Sequence, residues 1–279
     1  MVDIKKVKEE LLTEFGGKGL FVKELESALL AGAIDLAVHS AKDLPMDIAP
    51  GLVIAAAGPR AAPNDVWIGQ NALEIKDLSA GALVGTSSLR RQAQLLALRP
   101  DLRVAPIRGN IETRLRKVRE GIVAGTFLAQ AGLQRANLLD SEAVILPLDE
   151  FVPCAGQGTL VMETRAEDLW LHKIVEQINH PPTSAALLFE RRVIKTLAGN
   201  CLAPIGVCAS LRGMVNGKEQ QGWISRAFVA TPDGRDVARA ALLTDQAGNA
   251  GLNSLFDLLI DTLQRRGAKE ILKKIAADK

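Results

Sequence analysis

Two adjacent arginines, Arg90 and Arg91, stand in the first turn of a helix that the sequence predicts directly after Thr86, Ser87 and Ser88. Serine and threonine favour a helix N-cap because the hydroxyl accepts a hydrogen bond from a free backbone N–H group. The positive end of the helix dipole disfavours cations at this position and favours anions. A bound anion that contacts both the helix N-terminus and the guanidinium groups would resolve the conflict.

Two further arginines, Arg108 and Arg114, flank a second predicted helix start in the segment "RGNIETR". All four lie at or just beyond the carboxyl end of a predicted strand, which is where ligands bind in open α/β sheets. We therefore predict a carboxylate or phosphate site at these four side chains. The other basic residues of this region are interpreted as a solvated helix face; they are Arg99, Arg103, Arg116, Lys117 and Arg119.

Asp43 follows a short apolar strand in "HSAKDLP" (39–45) and stands beside Lys42. A carboxylate there could donate a proton or stabilise a cation, although spacing alone favours a turn or capping role. His39 is interpreted as a core residue or as support for a functional neighbour. Cys201 follows a predicted helix in "LAGNCLAPIG", where a structural cysteine is more common than a reactive one. The Cys and His spacing predicts no zinc site or other metal site.

The bulk composition argues against several functional classes. The 279 residues carry a net charge of +2, only 4% are aromatic, and none is tyrosine, which disfavours nucleic-acid binding. The sequence has no apolar stretch of about 20 residues that could span a bilayer. The N-terminus lacks a signal-peptide core, and three cysteines do not make a disulfide framework. We therefore expect a cytoplasmic protein with neither a membrane nor a nucleic-acid partner.

Strands alternate with helices between residues 82 and 131, which predicts a parallel α/β sheet. A Pro-rich break at 59–65 and a second crossing at 146–165 predict two domains joined by two segments. A helix within 15–32 is predicted to place Leu20, Phe21, Leu25, Ala28 and Leu29 on one face. The predicted domains are 1–58 with 159–176, then 64–152, and a small α+β domain at 181–279 that contains a hairpin (222–243) and a helix (252–275).

Seven short motifs resemble those of the hydroxymethylbilane synthase family, also called the porphobilinogen deaminase family. They occur in family order over nearly the whole chain. The motifs are "GGKGLFVKELE" (16–26), "DLAVHSAKDLP" (35–45), "VGTSSLRRQ" (84–92), "IRGNIETRL" (107–115), "AGLQR" (131–135), "AGQG" (155–158) and "GNCLAPIG" (199–206).

The resemblance implies a transferase of tetrapyrrole and heme biosynthesis. Members of the family join four porphobilinogen units head to tail, release ammonia each time, and use a dipyrromethane primer held by a thioether to one cysteine. That cysteine maps to Cys201, and the catalytic aspartate maps to Asp43. The implied fold is two periplasmic-binding-protein-like α/β domains, the first truncated, plus a small α+β C-terminal domain that carries the cysteine on a loop.

The resemblance also assigns binding roles to polar residues, because each pyrrole ring carries an acetate and a propionate that the protein must neutralise. Substrate contacts map to Arg135 and Gln157. Cofactor contacts map to Ser40, Lys42, Thr86, Ser87, Ser88, Arg90, Arg91, Arg108, Gly109 and Arg114, with Cys201 as the covalent attachment point.

The chain departs from the family pattern in three places. Only fifteen residues precede Gly16, so we expect it to lack the N-terminal strand–helix–strand of domain 1. Glu14 stands where the family typically has lysine, and "GNC" replaces the more usual "GGC". We expect lower stability and a monomer, with self-association as an alternative because a truncated sheet exposes strand edges.

The alternative function is a catalytically impaired homologue that acts only as a carboxylate-binding module.

Overall fold

The computed structural model describes residues 18–198, 203–212, 214–215, 218–219 and 222–277. The chain divides into two compact units, of which unit 1 comprises Met1–Arg60 with Thr159–Ser184 and unit 2 comprises Ala61–Gly158 with Ala185–Lys279. Both units combine strands with packed helices, which confirms the α/β class. The three-domain division stays a prediction.

The elements are numbered in chain order. The helices are α1 (Lys18–Leu30), α2 (Leu89–Leu98), α3 (Ile111–Arg119), α4 (Gln130–Arg135), α5 (Leu169–Val175), α6 (Pro181–Ala198), α7 (Gly248–Arg265) and α8 (Ala268–Ala277). The strands are β1 (Ala37–Ser40), β2 (Leu52–Ala57), β3 (Asp65–Gly69), β4 (Leu83–Gly85), β5 (Arg103–Ala105), β6 (Gly125–Ala129), β7 (Val144–Ile145), β8 (Leu160–Arg165), β9 (Ile205–Leu211), β10 (Met214–Val215), β11 (Lys218–Glu219), β12 (Trp223–Ala230) and β13 (Val237–Thr244).

Unit 1 contains an antiparallel sheet in the order β1-β8-β2. Leu29 of α1 packs with Ala37 of β1 and Leu52 of β2 in a small core. The prediction for the buried face of α1 is wrong at Leu25, which is 37% exposed. The prediction is confirmed at Leu29, which is buried together with Val22 and Glu26. These three residues recur at helical spacing and form one stripe.

Unit 2 contains a mixed five-stranded sheet in the order β5-β4-β6-β3-β7. The prediction of parallel pairing is confirmed for β4 with β5 and with β6. β3 lies outside the segment for which parallel pairing was predicted, and it pairs antiparallel with β6 and β7. The parallel pairings bring the carboxyl ends of β4 and β6 to one edge of the sheet, and α2 begins shortly after β4.

A second sheet in unit 2 has the antiparallel order β13-β12-β9 and includes the predicted hairpin. Its core contains Val207, Ala227 and Leu259, which pack with residues of α6, α7 and α8. The single helix predicted at 252–275 is instead two helices. Gly267 lies between them with a φ of 88°, a left-handed conformation that ends α7 and favours glycine.

The turn between β12 and β13 packs against α2. The Gln92 side-chain amide donates a hydrogen bond to the Pro232 carbonyl over 3.1 Å. A Cβ atom at Gly234 would come within 2.4 Å of the Ala97 backbone nitrogen, so only glycine allows this close approach. The hairpin therefore supports the helix that carries Arg90 and Arg91. None of the described helices is both long and apolar enough to cross a membrane.

Two buried hydroxyl groups of unit 2 differ in their hydrogen bonding. Among the described residues, the Ser225 hydroxyl has no hydrogen-bond partner, whereas the Thr126 hydroxyl donates to the Gly85 carbonyl over 2.7 Å. We expect Ser225→Ala to raise the free energy of unfolding by about 1 kcal/mol and Thr126→Val to lower it by about 2 kcal/mol. Urea unfolding of both variants checks this, and a larger loss for Ser225→Ala would contradict it.

Candidate active site

A buried carboxylate binds both arginines of the α2 helix. Asp65, the first residue of β3, is fully buried. Its Oδ2 accepts a hydrogen bond from Arg90 Nη1 over 2.7 Å. Its Oδ1 accepts from Arg91 Nη2 over 2.6 Å and from Arg91 Nε over 3.0 Å. The two guanidinium groups therefore meet at one carboxylate.

Backbone carbonyls fix the same two guanidinium groups from other elements. Arg90 Nη1 also donates to the Val152 carbonyl over 2.8 Å, and Arg91 Nη1 donates to the Phe127 carbonyl of β6 over 2.8 Å. Arg90 and Arg91 are only 6% and 7% exposed. Strands β3 and β6 and the segment at Val152 thus hold both side chains in place.

The charge states of this group follow from burial and proximity. Burial acts to raise the pKa of Asp65, but the positive charges of Arg90 and Arg91 outweigh it and hold that pKa well below its usual range. Burial acts to lower the pKa of Arg90, whereas Asp65 raises it, and the net change is upward. Asp65 and Arg90 are therefore charged at neutral pH. Since an arginine side chain in a protein keeps its positive charge, the two arginines and one carboxylate have an excess of one positive charge.

Gln157 completes the environment of Asp65. Its side-chain amide donates to Asp65 Oδ1 over 3.0 Å and to the Pro63 carbonyl over 2.7 Å. The Cys154 thiol donates to Gln157 Oε1 over 3.5 Å. Gln157 is fully buried, so in this structure it supports the arginine pair, and its expected contact with substrate stays a prediction.

Three hydroxyl residues shape the turn before α2, as the sequence predicts for a helix start. The Ser88 hydroxyl caps the helix by accepting from the Arg91 backbone N–H over 3.4 Å, and Thr86 Oγ1 accepts from the Ser88 backbone N–H over 3.1 Å. The Ser87 hydroxyl donates to the Ile107 carbonyl over 2.9 Å. The first turn of α2 contains no acidic residue.

Arg114 lies close enough to Arg91 for their charges to interact. Burial lowers the pKa of Arg114, and the positive charge of Arg91 lowers it further. Arg114 Nε donates to the Gly109 carbonyl over 2.9 Å, and Asn110 caps α3 by accepting from the Thr113 backbone N–H. The structure thus brings together three of the four predicted arginines.

Arg108 and Arg135 lie in other surroundings. Arg108 is exposed, and its backbone carbonyl accepts a hydrogen bond from Lys117 Nζ over 3.4 Å. Arg135, at the end of α4, donates from Nη2 to the Gly158 carbonyl over 3.0 Å. Their expected binding roles, and that of Gly109, stay predictions.

In unit 1, Lys42 and Asp43 lie in a short 3-10 turn, Ala41–Asp43, that directly follows Ser40 at the end of β1. All three polar side chains are partly buried. His39, one residue before the end of β1, is buried, and its Nε2 lies 2.9 Å from Glu163 Oε2 of β8. This contact fixes the end of the strand from which the Asp43 turn emerges.

Comparison with known proteins identifies the family of this chain. A family model described as "Porphobilinogen deaminase, dipyromethane cofactor binding domain" matches residues 3–173. The porphobilinogen deaminase of Desulforudis audaxviator is 44% identical over 96% of this chain and 84% of that protein. That of Thiobacillus denitrificans is 41% identical over 95% of this chain and 84% of that protein. The chain belongs to the porphobilinogen deaminase family.

Superposition of this chain on solved structures gives low TM-scores. The periplasmic aliphatic sulphonate-binding protein SsuA from Escherichia coli gives a TM-score of 0.38 at 14% identity, over 68% of this chain and 64% of that chain. A putative periplasmic sulfonate-binding protein from Methylobacillus flagellatus gives a TM-score of 0.34 at 14% identity, over 68% of this chain and 63% of that chain.

The porphobilinogen deaminase family binds dipyrromethane, and the donor set in unit 2 fits that cofactor. A two-ring compound with an acetate and a propionate on each ring is a polyanion. Arg90, Arg91 and Arg114 offer guanidinium groups, which match carboxylates in shape and charge. One buried carboxylate, Asp65, offsets only part of their charge. Cys201 and Glu14 lie outside the described residues.

The carboxylate of Asp65 was not predicted from the sequence. It is the last residue of the Pro-rich segment at 59–65, and a single acidic residue there has no periodic or motif signal. The only available indication was indirect, since buried arginines need a counter-charge within reach. Neither the family motifs nor the strand pattern identified which acidic residue would supply it.

The depressed pKa of Asp65 makes a pH dependence testable. Because the folded-state pKa lies below the ordinary value of 3.8, the ion pair stabilises the fold above that value and loses its effect as the pH falls below it. We expect Asp65→Asn to lower the free energy of unfolding by about 3 kcal/mol near neutral pH. The difference from the unaltered chain should shrink below about pH 4.

Thermal unfolding at several pH values checks this expectation. Asp101→Asn is the matched control, since Asp101 pairs with Arg99 at the exposed far end of α2, and it should change stability little at any pH. A stability loss in Asp65→Asn that stayed constant through acidic pH would contradict the assignment.

Proposed function

We propose that the chain is a hydroxymethylbilane synthase, which joins four porphobilinogen units head to tail with release of ammonia. The proposal rests on family membership over 96% of the chain and on one structural observation. Arg90 and Arg91 share a single buried carboxylate, and the charge of Arg91 also acts on Arg114. The three arginines therefore leave uncompensated positive charge beside a helix N-terminus. A growing chain of pyrroles brings two carboxylates with each ring and so supplies the missing negative charge.

The proposed binding surface in unit 2 combines fixed charge with oriented hydrogen-bond donors. The α2 N-terminus presents backbone N–H groups in the turn that Thr86, Ser87 and Ser88 shape. Arg90 and Arg91 are held by Asp65 and by carbonyls before any ligand arrives. Such preorganisation lowers the entropic cost of binding. Arg108, Gly109 and Arg135 are proposed as further contacts of this surface. In unit 1, a cofactor-binding role is proposed for Ser40 and Lys42.

Cys201 is proposed as the attachment point of the dipyrromethane. Loss of ammonia from the aminomethyl group of porphobilinogen breaks its C–N bond and leaves an electrophilic carbon, to which a thiolate, as a soft nucleophile, adds to form a stable thioether. When bound, the cofactor supplies the pyrrole end to which new units are joined. In the sequence, Cys201 lies between the end of α6 at Ala198 and the start of β9 at Ile205.

Asp43 is proposed as the catalytic acid. Its carboxyl group would protonate the departing amine, and its carboxylate would accept a hydrogen bond from the pyrrole N–H as positive charge develops on the ring. The partly buried turn after β1 suits this role because low exposure strengthens electrostatic interactions. The buried His39–Glu163 contact keeps the preceding strand in place.

The alternative, a catalytically impaired homologue that only binds carboxylates, is disfavoured because the alignment spans 84% of a named porphobilinogen deaminase. We also propose a cytoplasmic monomer. The thiol of Cys154, which forms no disulfide in the described part of the chain, is compatible with a reducing compartment. Porphobilinogen is the proposed small-molecule partner.

Intact-protein mass spectrometry tests the attachment of the cofactor. We expect the purified chain to carry extra mass equal to one dipyrromethane, and Cys201→Ser to have the mass of the bare polypeptide. Cys154→Ser is the matched control and should keep the extra mass. A bare mass for the unaltered chain after incubation with porphobilinogen would contradict the proposed function and favour the carboxylate-binding alternative.

Steady-state turnover tests Asp43. We expect Asp43→Ala to reduce the rate of ammonia release by about 100-fold or more, because a positioned general acid contributes that much, while cofactor mass and thermal stability stay near those of the unaltered chain. Asp77→Ala removes an exposed carboxylate and should leave turnover unchanged. Equal turnover in Asp43→Ala and Asp77→Ala would overturn the catalytic role.

A further inference from the structure

We propose that Asp65 is a positioning residue that makes Arg90 and Arg91 act as one carboxylate-binding unit, an inference that rests on the proposed function. The unit also includes Gln157, which holds Asp65. Neither the sequence motifs nor the family model assigns a role to Asp65.

Helix geometry requires a device of this kind. Side chains at positions i and i+1 of an α-helix leave the axis in different directions and do not face each other. Arg90 and Arg91 are such neighbours in the first turn of α2. Their guanidinium groups nevertheless meet because each binds a different oxygen of the same carboxylate, Arg90 at Oδ2 and Arg91 at Oδ1. Without Asp65, nothing else in these contacts brings the two groups together.

Electrostatics gives Asp65 a second effect. Two guanidinium groups in one buried place repel each other, and burial alone disfavours their charged forms. The carboxylate stabilises both charges and raises the pKa of Arg90. The pair keeps an excess of one positive charge, so it still attracts an anion.

Gln157 fixes the carboxylate itself. Its amide group donates to Asp65 Oδ1 and to the Pro63 carbonyl, and both partners lie at the start of β3 or just before it. The orientation of Asp65 therefore depends on the segment around residue 157 as well as on β3. A displacement of that segment would change the direction in which both arginines point.

Stability alone does not explain this arrangement. Burying charged groups is costly, and replacing a buried ion pair by apolar residues is often neutral or stabilising. Here two arginines, one aspartate and one glutamine are buried together at the start of the helix that the proposed function uses. A carboxylate-binding role for the arginines accounts for keeping them charged and aligned.

The test measures anion binding without the covalent cofactor. In a Cys201→Ala background, calorimetry measures the binding of benzene-1,2,4,5-tetracarboxylate, a probe with several carboxylates on one ring. We expect Asp65→Asn to weaken this binding about tenfold, the loss of about one charge-assisted hydrogen bond. Asp101→Asn, which removes the carboxylate that binds Arg99 at the other end of α2, should change binding less than about twofold.

A double-mutant cycle shows whether Asp65 acts through the arginines. In an Arg91→Lys background, Asp65→Asn should cause little further loss, because the aligned pair no longer exists. In the cofactor-loaded enzyme, Asp65→Asn should raise KM for porphobilinogen about tenfold and change kcat much less. Unchanged probe binding in a folded Asp65→Asn variant, or fully additive losses with Arg91→Lys, would overturn the inference.

Gln157→Met keeps the inference testable if circular dichroism shows that Asp65→Asn does not fold. This variant keeps the Asp65 charge and should weaken probe binding about threefold, again with little effect in the Arg91→Lys background; unchanged binding would overturn the inference. Absence of probe binding to the Cys201→Ala chain itself would also overturn it. A chain that lacks the dipyrromethane mass but binds the probe in an Asp65-dependent way would refute the proposed function alone.

Discussion

The ion pair between Asp65 and the two α2 arginines is the constraint around which the functional part of unit 2 is arranged. Because these charges are buried, each element that supplies a partner must stay within hydrogen-bond distance, or a charged group is left uncompensated. Strand β3 supplies Asp65, β6 supplies the Phe127 carbonyl, and the segment around Val152 and Gln157 supplies the rest. A small movement of any one of them affects the same two guanidinium groups.

Apolar packing holds α2 in the position that this network needs. Ala93 of α2 packs with Val152, Phe228 and Ala230, so one cluster connects the arginine helix to strand β12. At the far end of α2, Arg99 donates to the carbonyls of Ile75 and Leu78. The helix is therefore held at both ends and along one side, which suits a binding site that must keep its geometry to within a fraction of an ångström.

The sequence predicted those parts of the site that have a local signal. Ser88 as an N-cap, the start of α2 and the adjacent Arg90 and Arg91 follow from short-range patterns that the structure contains. The approach of Arg114 to Arg91 was expected because both residues follow predicted strands of one α/β sheet. Asp65 lies 25 residues from Arg90, and such a contact depends on strand order, which the residue pattern does not encode. The pairing of β3 with β6 and β7 was not predicted for the same reason. The buried face of α1 was misplaced in part because Glu26 is polar yet buried.

A protein that binds successive anionic intermediates needs positive charges that are fixed in position and that its own acidic groups neutralise in part. If the same two guanidinium groups were kept in the same alignment by uncharged partners, they would bind a carboxylate more strongly than the pair shared with Asp65, since the internal carboxylate competes for the same N–H donors. Tight binding of every intermediate equally would lower KM without accelerating the reaction and would slow release of the product. The Asp65 carboxylate therefore determines both where the two guanidinium groups point and how strongly they attract an anion. The arginines can then orient a ligand and still release it.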